Sequence, residues 1–379
     1  MSEARITNLS NESNTGGPTI SGITTFSGTN YFVPPVGTTA QRPDNPEGGS
    51  LRFNTDNKHL EYFKGDTLGW VEVEATSEEL DGGHRGVYGP GEAPAGDSMD
   101  YITISTLGNS ADFGNLTQDR RSGGIGGASR TRGLFAGGQN PSPFTFYNII
   151  DYITFSSVGN ATDFSDLLNT TYDNKGTSSA TRGLINYGTS GPGFTMVNII
   201  EYITMSSVGT NAQDFGDLSV MRIGAGACAS STRALWGGGA APGGTRKNIV
   251  DYNTIASLGN AIDFGNLSQV ASNTTGGSNS VRGLFSLGEV NSGDVNTIDY
   301  FTIATLGNYS DFGDATTAGH KNAAVTSPTR LVTAGGSTPT STNIIDYVQI
   351  MTAGNAVDFG DLTSARRVYG GVSNGHGGL

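Results

Sequence analysis

The chain has 379 residues, of which 58 are glycine; 35% are hydrophobic and 15% charged. Glycine at about twice its usual ~7% argues against helix, and the absence of a three-residue period excludes collagen. No apolar run reaches the ~20 residues of a membrane helix, and 21 basic against 34 acidic residues (net charge −13) lack the basic excess of a nucleic-acid binder. What remains is an all-β chain with many tight turns.

Residues 1–33 are rich in Ser, Thr, Asn and Gly. They are predicted to form an extended docking segment that orders against a partner. The opening Met1-Ser2-Glu3-Ala4-Arg5 lacks an apolar core, so no secretory leader is expected. Residues 34–75 are predicted as a small three-stranded module. Leu51 to Phe63 alternates around an Asp56-Asn57 turn as a hairpin, and Trp70 to Val73 supplies a third strand. Three short strands are marginal alone, so this module is expected to dock in an oligomer or a larger assembly. Residues 76–84, with Glu78-Glu79-Leu80-Asp81, read as an acidic linker.

From residue 85 to 379 the chain repeats. An acidic residue precedes tyrosine at Asp100, Asp151, Glu201, Asp251, Asp299 and Asp346, 47 to 51 residues apart. An Asp-Phe pair follows each, at Asp112, Asp163, Asp214, Asp263, Asp311 and Asp358. An arginine precedes each at Arg85, Arg132, Arg182, Arg233, Arg282 and Arg330. One unit resolves into four strands: Gly123 to Ala128, Arg132 to Ala136, Asn148 to Phe155, and Ala161 to Leu167. Four antiparallel strands per unit is the signature of a propeller blade. The first unit lacks its glycine-rich strand, and Arg366 to Ser373 matches that missing piece. The C-terminal strand is therefore expected to complete the first of six blades and close the ring. The phenylalanine of Asp-Phe is predicted to fill the space between blades, its aspartate to bond backbone or a neighbouring arginine. Repeated Arg and Asp could instead pair between blades. Cys228 is the single cysteine, so no intrachain disulfide can form; it reads as a small packed strand residue.

The unit resembles the kelch repeat: an apolar stretch ending in Gly-Gly, an acidic-Tyr strand, then an aromatic strand. Asp-Phe stands where kelch repeats usually carry Trp. The resemblance implies a fold, since kelch propellers host both enzymes and binding modules. A second resemblance lies upstream. Gly37-Thr38-Thr39-Ala40-Gln41-Arg42-Pro43, then Gly48-Gly49-Ser50-Leu51-Arg52-Phe53-Asn54-Thr55, Glu61-Tyr62-Phe63 and Gly69-Trp70 resemble a module of virion structural and tail-fibre proteins of tailed bacteriophages. Ser21-Gly22-Ile23-Thr24-Thr25-Phe26-Ser27-Gly28 has a similar look. This implies a virion part in the tail or neck, made in the host cytoplasm, contacting other virion proteins through residues 1–75 and expected to be a homo-oligomer, with a trimer as the working guess.

Function is expected in the loops that vary. The loops from the second to the third strand differ between blades, and diversity on a repeated scaffold is where binding concentrates. The candidates are Phe144, Phe146, Tyr147, Phe194, Met196, Arg246 and Lys247, the aromatic and basic types enriched at hot spots. No catalytic residue, metal or cofactor is predicted. His59, His84, His320 and His376 lie far apart in sequence, and Cys228 alone forms no metal or radical site. The expected role is a non-enzymatic appendage whose propeller touches a host-surface glycan or protein, without nucleic acid or membrane insertion. The alternatives are a glycan-active enzyme on the same scaffold, or a purely structural baseplate or collar decoration.

Overall fold

A computed structural model describes residues 34–73, 84–91 and 96–379, except 122, 142–143, 192 and 369. The expected docking segment and, save His84, the expected linker lie outside the described residues. The chain divides into two compact units, residues 1–77 and 78–379.

In the first unit Leu51–Asn54 and His59–Phe63 pair antiparallel, and Trp70–Val73 adds beyond them. Val36–Gly37 adds a fourth, parallel strand beside Phe53 and Asn54, where three strands were expected. Proline keeps its carbonyl, so Pro35 O accepts from Phe53 N–H (2.8 Å) although the Pro-Pro run shows no strand alternation. The centre of the unit is ionic. Glu61 is fully buried and receives Arg42 (2.5 Å) and Arg52 (2.9 Å), with Asn54 Nδ2 at 3.2 Å. The Arg42 hydrogen bond, foremost, holds the Glu61 carboxyl below its usual range. Arg42, Arg52, Asn54 and Glu61, which build this cluster, all lie within the second sequence resemblance.

In the second unit, six antiparallel sheets are found among the described residues, four of four strands and two extended to seven. Each begins at a small-residue inner strand: Gly124–Ala128, Lys175–Ser178, Gly226–Ala229, Thr275–Ser278, Ala323–Thr326 and, for the sheet containing Arg85–Tyr88, the C-terminal Gly371–Ser373. We number the sheets from this last one, so the first sheet comprises Gly371–Ser373, Arg85–Tyr88, Gly96–Thr103 and Ala111–Arg120. The fold is propeller-like. No α-helix occurs among the described residues.

The repeated residues explain the stacking. Each repeated arginine lies over its own sheet's tyrosine, 4.6 to 5.2 Å from the ring centre. Each tyrosine meets the Asp-Phe phenylalanine edge-on at 5.9 to 6.1 Å. Arg85, Arg182, Arg233, Arg282 and Arg330 then donate to a carbonyl of the following sheet. The phenylalanines are buried between neighbouring sheets: Phe113 packs with Met99 of the first sheet and Phe135 and Ile153 of the second. Fully burying such a ring contributes about 1.5–3 kcal/mol.

A turn of each sheet also donates to the phenylalanine carbonyl of the sheet before it. Gly159 N–H reaches Phe113 O at 2.7 Å, and Gly108 N–H reaches Phe359 O at 2.9 Å, joining sixth sheet to first. Here glycine is required. A Cβ on Gly265 (φ +156°) would stand 2.0 Å from Gly307 O. The aspartates of the Asp-Phe pairs are exposed, contrary to the bonded role expected for them. It is the acid before tyrosine that is buried. Its carboxylate accepts from the end of the preceding sheet, as Asp151 does from Thr117 N–H (3.1 Å) and Oγ1 (2.7 Å).

Candidate aromatic binding face

The third strand of the second sheet, Phe144–Thr154, carries Phe144 and Phe146 at its start. Their rings meet edge-on at 5.2 Å. Phe194 belongs to the next repeat, 48 residues on, and backbone pairing brings it there. The short strands Thr189–Ser190 and Thr195–Met196 form a hairpin, and its first strand pairs with Thr171 and Tyr172 at the outer edge of the second sheet. Phe194 then lies 5.5 Å from Phe144, 5.0 Å from Phe146 and 5.7 Å from Tyr172. Phe146 and Tyr172 pack at 6.4 Å. Four rings from two repeats form one cluster.

The cluster is only partly covered. Phe144 is 52% and Phe194 46% exposed. Phe194 also adopts φ +50°, a left-handed backbone that costs a non-glycine residue roughly 1–2 kcal/mol. Strain and exposed aromatic surface coincide at one residue.

The other candidates lie apart from these ring contacts. Met196 is half-buried and backbone-paired with Thr189. Tyr147 is half-buried and close enough to Arg120 to act on its charge. Arg246 pairs with Glu289 at 2.6 Å and donates to Ser272 Oγ at 3.2 Å. Lys247 donates its backbone N–H to Gly239 O. Tyr172 was missed. It is the last residue of the fourth strand, Thr162–Tyr172, five residues beyond the predicted strand end at Leu167, so the sequence expectation stopped short of it.

A second concavity runs between the inner strands. It has about 50 Å³ of room for the centres of water-sized groups and is lined chiefly by Gly, Ala, Ser, Thr and Val. Its titratable groups are Cys228 and His376. Burial pushes the Cys228 thiol well above its usual range and pulls His376 down to about 4. Both are therefore uncharged at neutral pH. His376 Nε2 contacts Ala128 O at 2.9 Å and Ser178 Oγ at 3.2 Å. Among the described residues no group of three or more His, Cys, Asp or Glu side chains is placed to hold a metal.

No family model matches the chain, and no curated protein matches it. Its fold matches 354 solved chains. One of them, the structure of YjhT, aligns with a TM-score of 0.59 at 10% identity, covering 73% of this chain and 94% of that one. At that identity the likeness concerns the fold alone.

Proposed function

We propose that this protein is a virion appendage of a tailed bacteriophage whose propeller contacts the host surface through the aromatic cluster of Phe144, Phe146, Tyr172 and Phe194. The propeller is read as six kelch-like blades in a closed ring. The pairing of Gly371–Ser373 with Arg85–Tyr88 and the Gly108–Phe359 hydrogen bond support closure. Residues 1–75 supply the virion attachment, as their resemblance to phage modules implies, and the chain acts without a cofactor.

The observation that carries the adhesive role is the half-exposed, strained Phe194 packed against rings from the preceding repeat. Aromatic faces stack on the C–H faces of sugars and anchor protein contacts alike. The test is a Phe144→Ser, Phe194→Gly double variant, measured on an array of bacterial surface polysaccharides and on whole cells. Both residues are exposed, so the folded CD spectrum should be unchanged. Loss of two hot-spot contacts should weaken binding by at least about tenfold. Binding and virion assembly both within twofold of wild type would remove this face from the role. Release of reducing sugar by the wild-type chain would favour the glycan-active alternative.

A further inference from the structure

The buried acid before tyrosine recurs in all six sheets, but its partner does not. Asp151 meets Arg120 of the preceding sheet at 3.1 Å, Asp251 meets Arg222 at 2.9 Å, and Asp100 meets Arg366 at 3.3 Å. Arg120 and Arg222 also donate to Phe135 O and Trp236 O, both at 3.1 Å. Each of these arginines stands eight residues after the aspartate of an Asp-Phe pair. In the remaining sheets the same position holds Thr171, Ala271 and Gly319.

The three exceptions differ in what fills the arginine's place, and each acid keeps one buried oxygen with no hydrogen-bond partner (Glu201 Oε1, Asp299 Oδ1 and Asp346 Oδ1). At the Glu201 interface Thr171 stands there and donates its hydroxyl to Thr189 O at 2.8 Å. Ala271, the residue in the position preceding Asp299, packs with Leu287 in an apolar cluster. Beside Asp346 there is space. A small open recess, with about 30 Å³ of room for the centres of water-sized groups, is lined by Asp346, Thr333, Gly319, Thr317, Ser337 and Thr342. Thr333 pairs with Asp346 as Phe135 does with Asp151 and Trp236 with Asp251. His320 bridges to Ser337 as Arg121 does to Gln139, so Gly319 occupies the place of Arg120. Asp346 is 6% exposed. Its Oδ2 accepts from Thr316 N–H (3.3 Å) and Oγ1, while Oδ1 is buried with no hydrogen-bond partner.

We propose that this recess is a binding site for a guanidinium group, supplied by a small molecule or by an arginine side chain of another protein. The template is internal: three sister interfaces place a guanidinium against the same acid. At the Asp346 interface Gly319 leaves the acid and the space but supplies no cation. The hydroxyls of Thr317, Ser337 and Thr342 are among the polar groups available to the remaining N–H donors.

The full chain is titrated at pH 7 with methylguanidinium, with the tripeptide Gly-Arg-Gly, and with methylurea as a neutral mimic, reading thermal shift and amide chemical shifts around residue 346. Saturable binding of either cation with none by methylurea is expected. Tighter binding of the tripeptide identifies a protein arginine as the source; tighter binding of methylguanidinium identifies a small molecule. Asp346→Asn keeps an acceptor for Thr316 and should weaken binding by at least about tenfold, the worth of a charge-assisted hydrogen bond. Gly319→Arg should abolish binding by filling the recess; its Cβ meets Ser337 O at 3.2 Å, a tight but adjustable contact. Asp299→Asn, a control at a closed interface, should bind as wild type. No saturable binding, equal binding by methylurea, or undiminished binding in Asp346→Asn would overturn the assignment.

Discussion

The buried acids predict opposite responses to one chemical change. Asp151 and Arg120 are both fully buried and paired through Nη2, and Arg120 Nε and Nη1 have no hydrogen-bond partner. Asp151→Asn keeps an acceptor for Thr117 but strands the guanidinium. Breaking a buried pair from one side costs about 3–5 kcal/mol, so this variant should lose that much in urea unfolding followed by the fluorescence of buried Trp236. Asp299 differs: burial foremost raises its carboxyl above the usual range, opposed by Ser268, and its Oδ1 has no partner. A carboxyl raised on folding binds more protons in the native state. Its ionisation therefore weakens the fold as pH climbs from the unfolded value near ~3.9 through the raised native one. Asp299→Asn removes that penalty. Its stability relative to wild type should be lowest below about pH 4 and rise with pH, ending level or higher at pH 7. The reasoning fails if Asp299→Asn at pH 7 loses more than half of what Asp151→Asn loses, or if the difference is flat with pH.

Two further outcomes follow from buried geometry. Glu61 holds two guanidiniums, with Arg42 chiefly depressing its carboxyl. Its contribution is present above the unfolded value near ~4.3 and lost as pH falls through the native one. Glu61→Gln should cost about 3–5 kcal/mol and collapse the dispersion of the Trp70 indole NMR signal at pH 7. Gly265→Ala should cost at least about 1–3 kcal/mol, because φ +156° and a carbonyl 2.0 Å from the new Cβ leave no room at the junction of fourth and fifth sheets. Equilibrium unfolding measures it, and a loss below about 0.5 kcal/mol would contradict the close approach.

The propeller-like architecture was legible because its residues recur: six arginines, six tyrosines and six phenylalanines make one stacking interaction six times. Periodicity reveals what is repeated and conceals what is not. Arg120, Arg222 and Arg366 occupy one position in three repeats, too irregular to register as a motif, yet they form the buried salt bridges between sheets. The repeated arginines instead use their charge on tyrosine rings and carbonyls. Asp-Phe is the more conspicuous acid in the sequence, but a strand places neighbours on opposite faces, so its aspartate faces solvent when its phenylalanine faces the core. Tyr172 escaped notice for another reason. Its partners Phe146 and Phe194 reach it only because a hairpin from the next repeat extends the sheet, a pairing that sequence spacing does not display.

That hairpin supplies an internal comparison for the proposed binding face. The same arrangement occurs between fourth and fifth sheets, where Glu289–Val290 and Gly293–Asp294 form a hairpin paired onto Ala271 and Ser272. Arg246 occupies the position of Phe146, five residues before the buried acid, and fixes that hairpin through Glu289 at 2.6 Å. Glu289 pairs with Ser272 as Thr189 pairs with Tyr172. An ion pair thus suffices to hold such a hairpin, with no exposed ring and no strained phenylalanine. The fold therefore does not require half-exposed Phe144 or left-handed Phe194; their surface is surplus to attachment. Transplanting the ionic version, Phe146→Arg with Thr189→Glu and Phe144→Ser, should leave stability within about 1 kcal/mol and the backbone spectrum unchanged while cell binding falls. If stability collapses with binding, the rings are core that happens to be exposed, and the adhesive role loses its support.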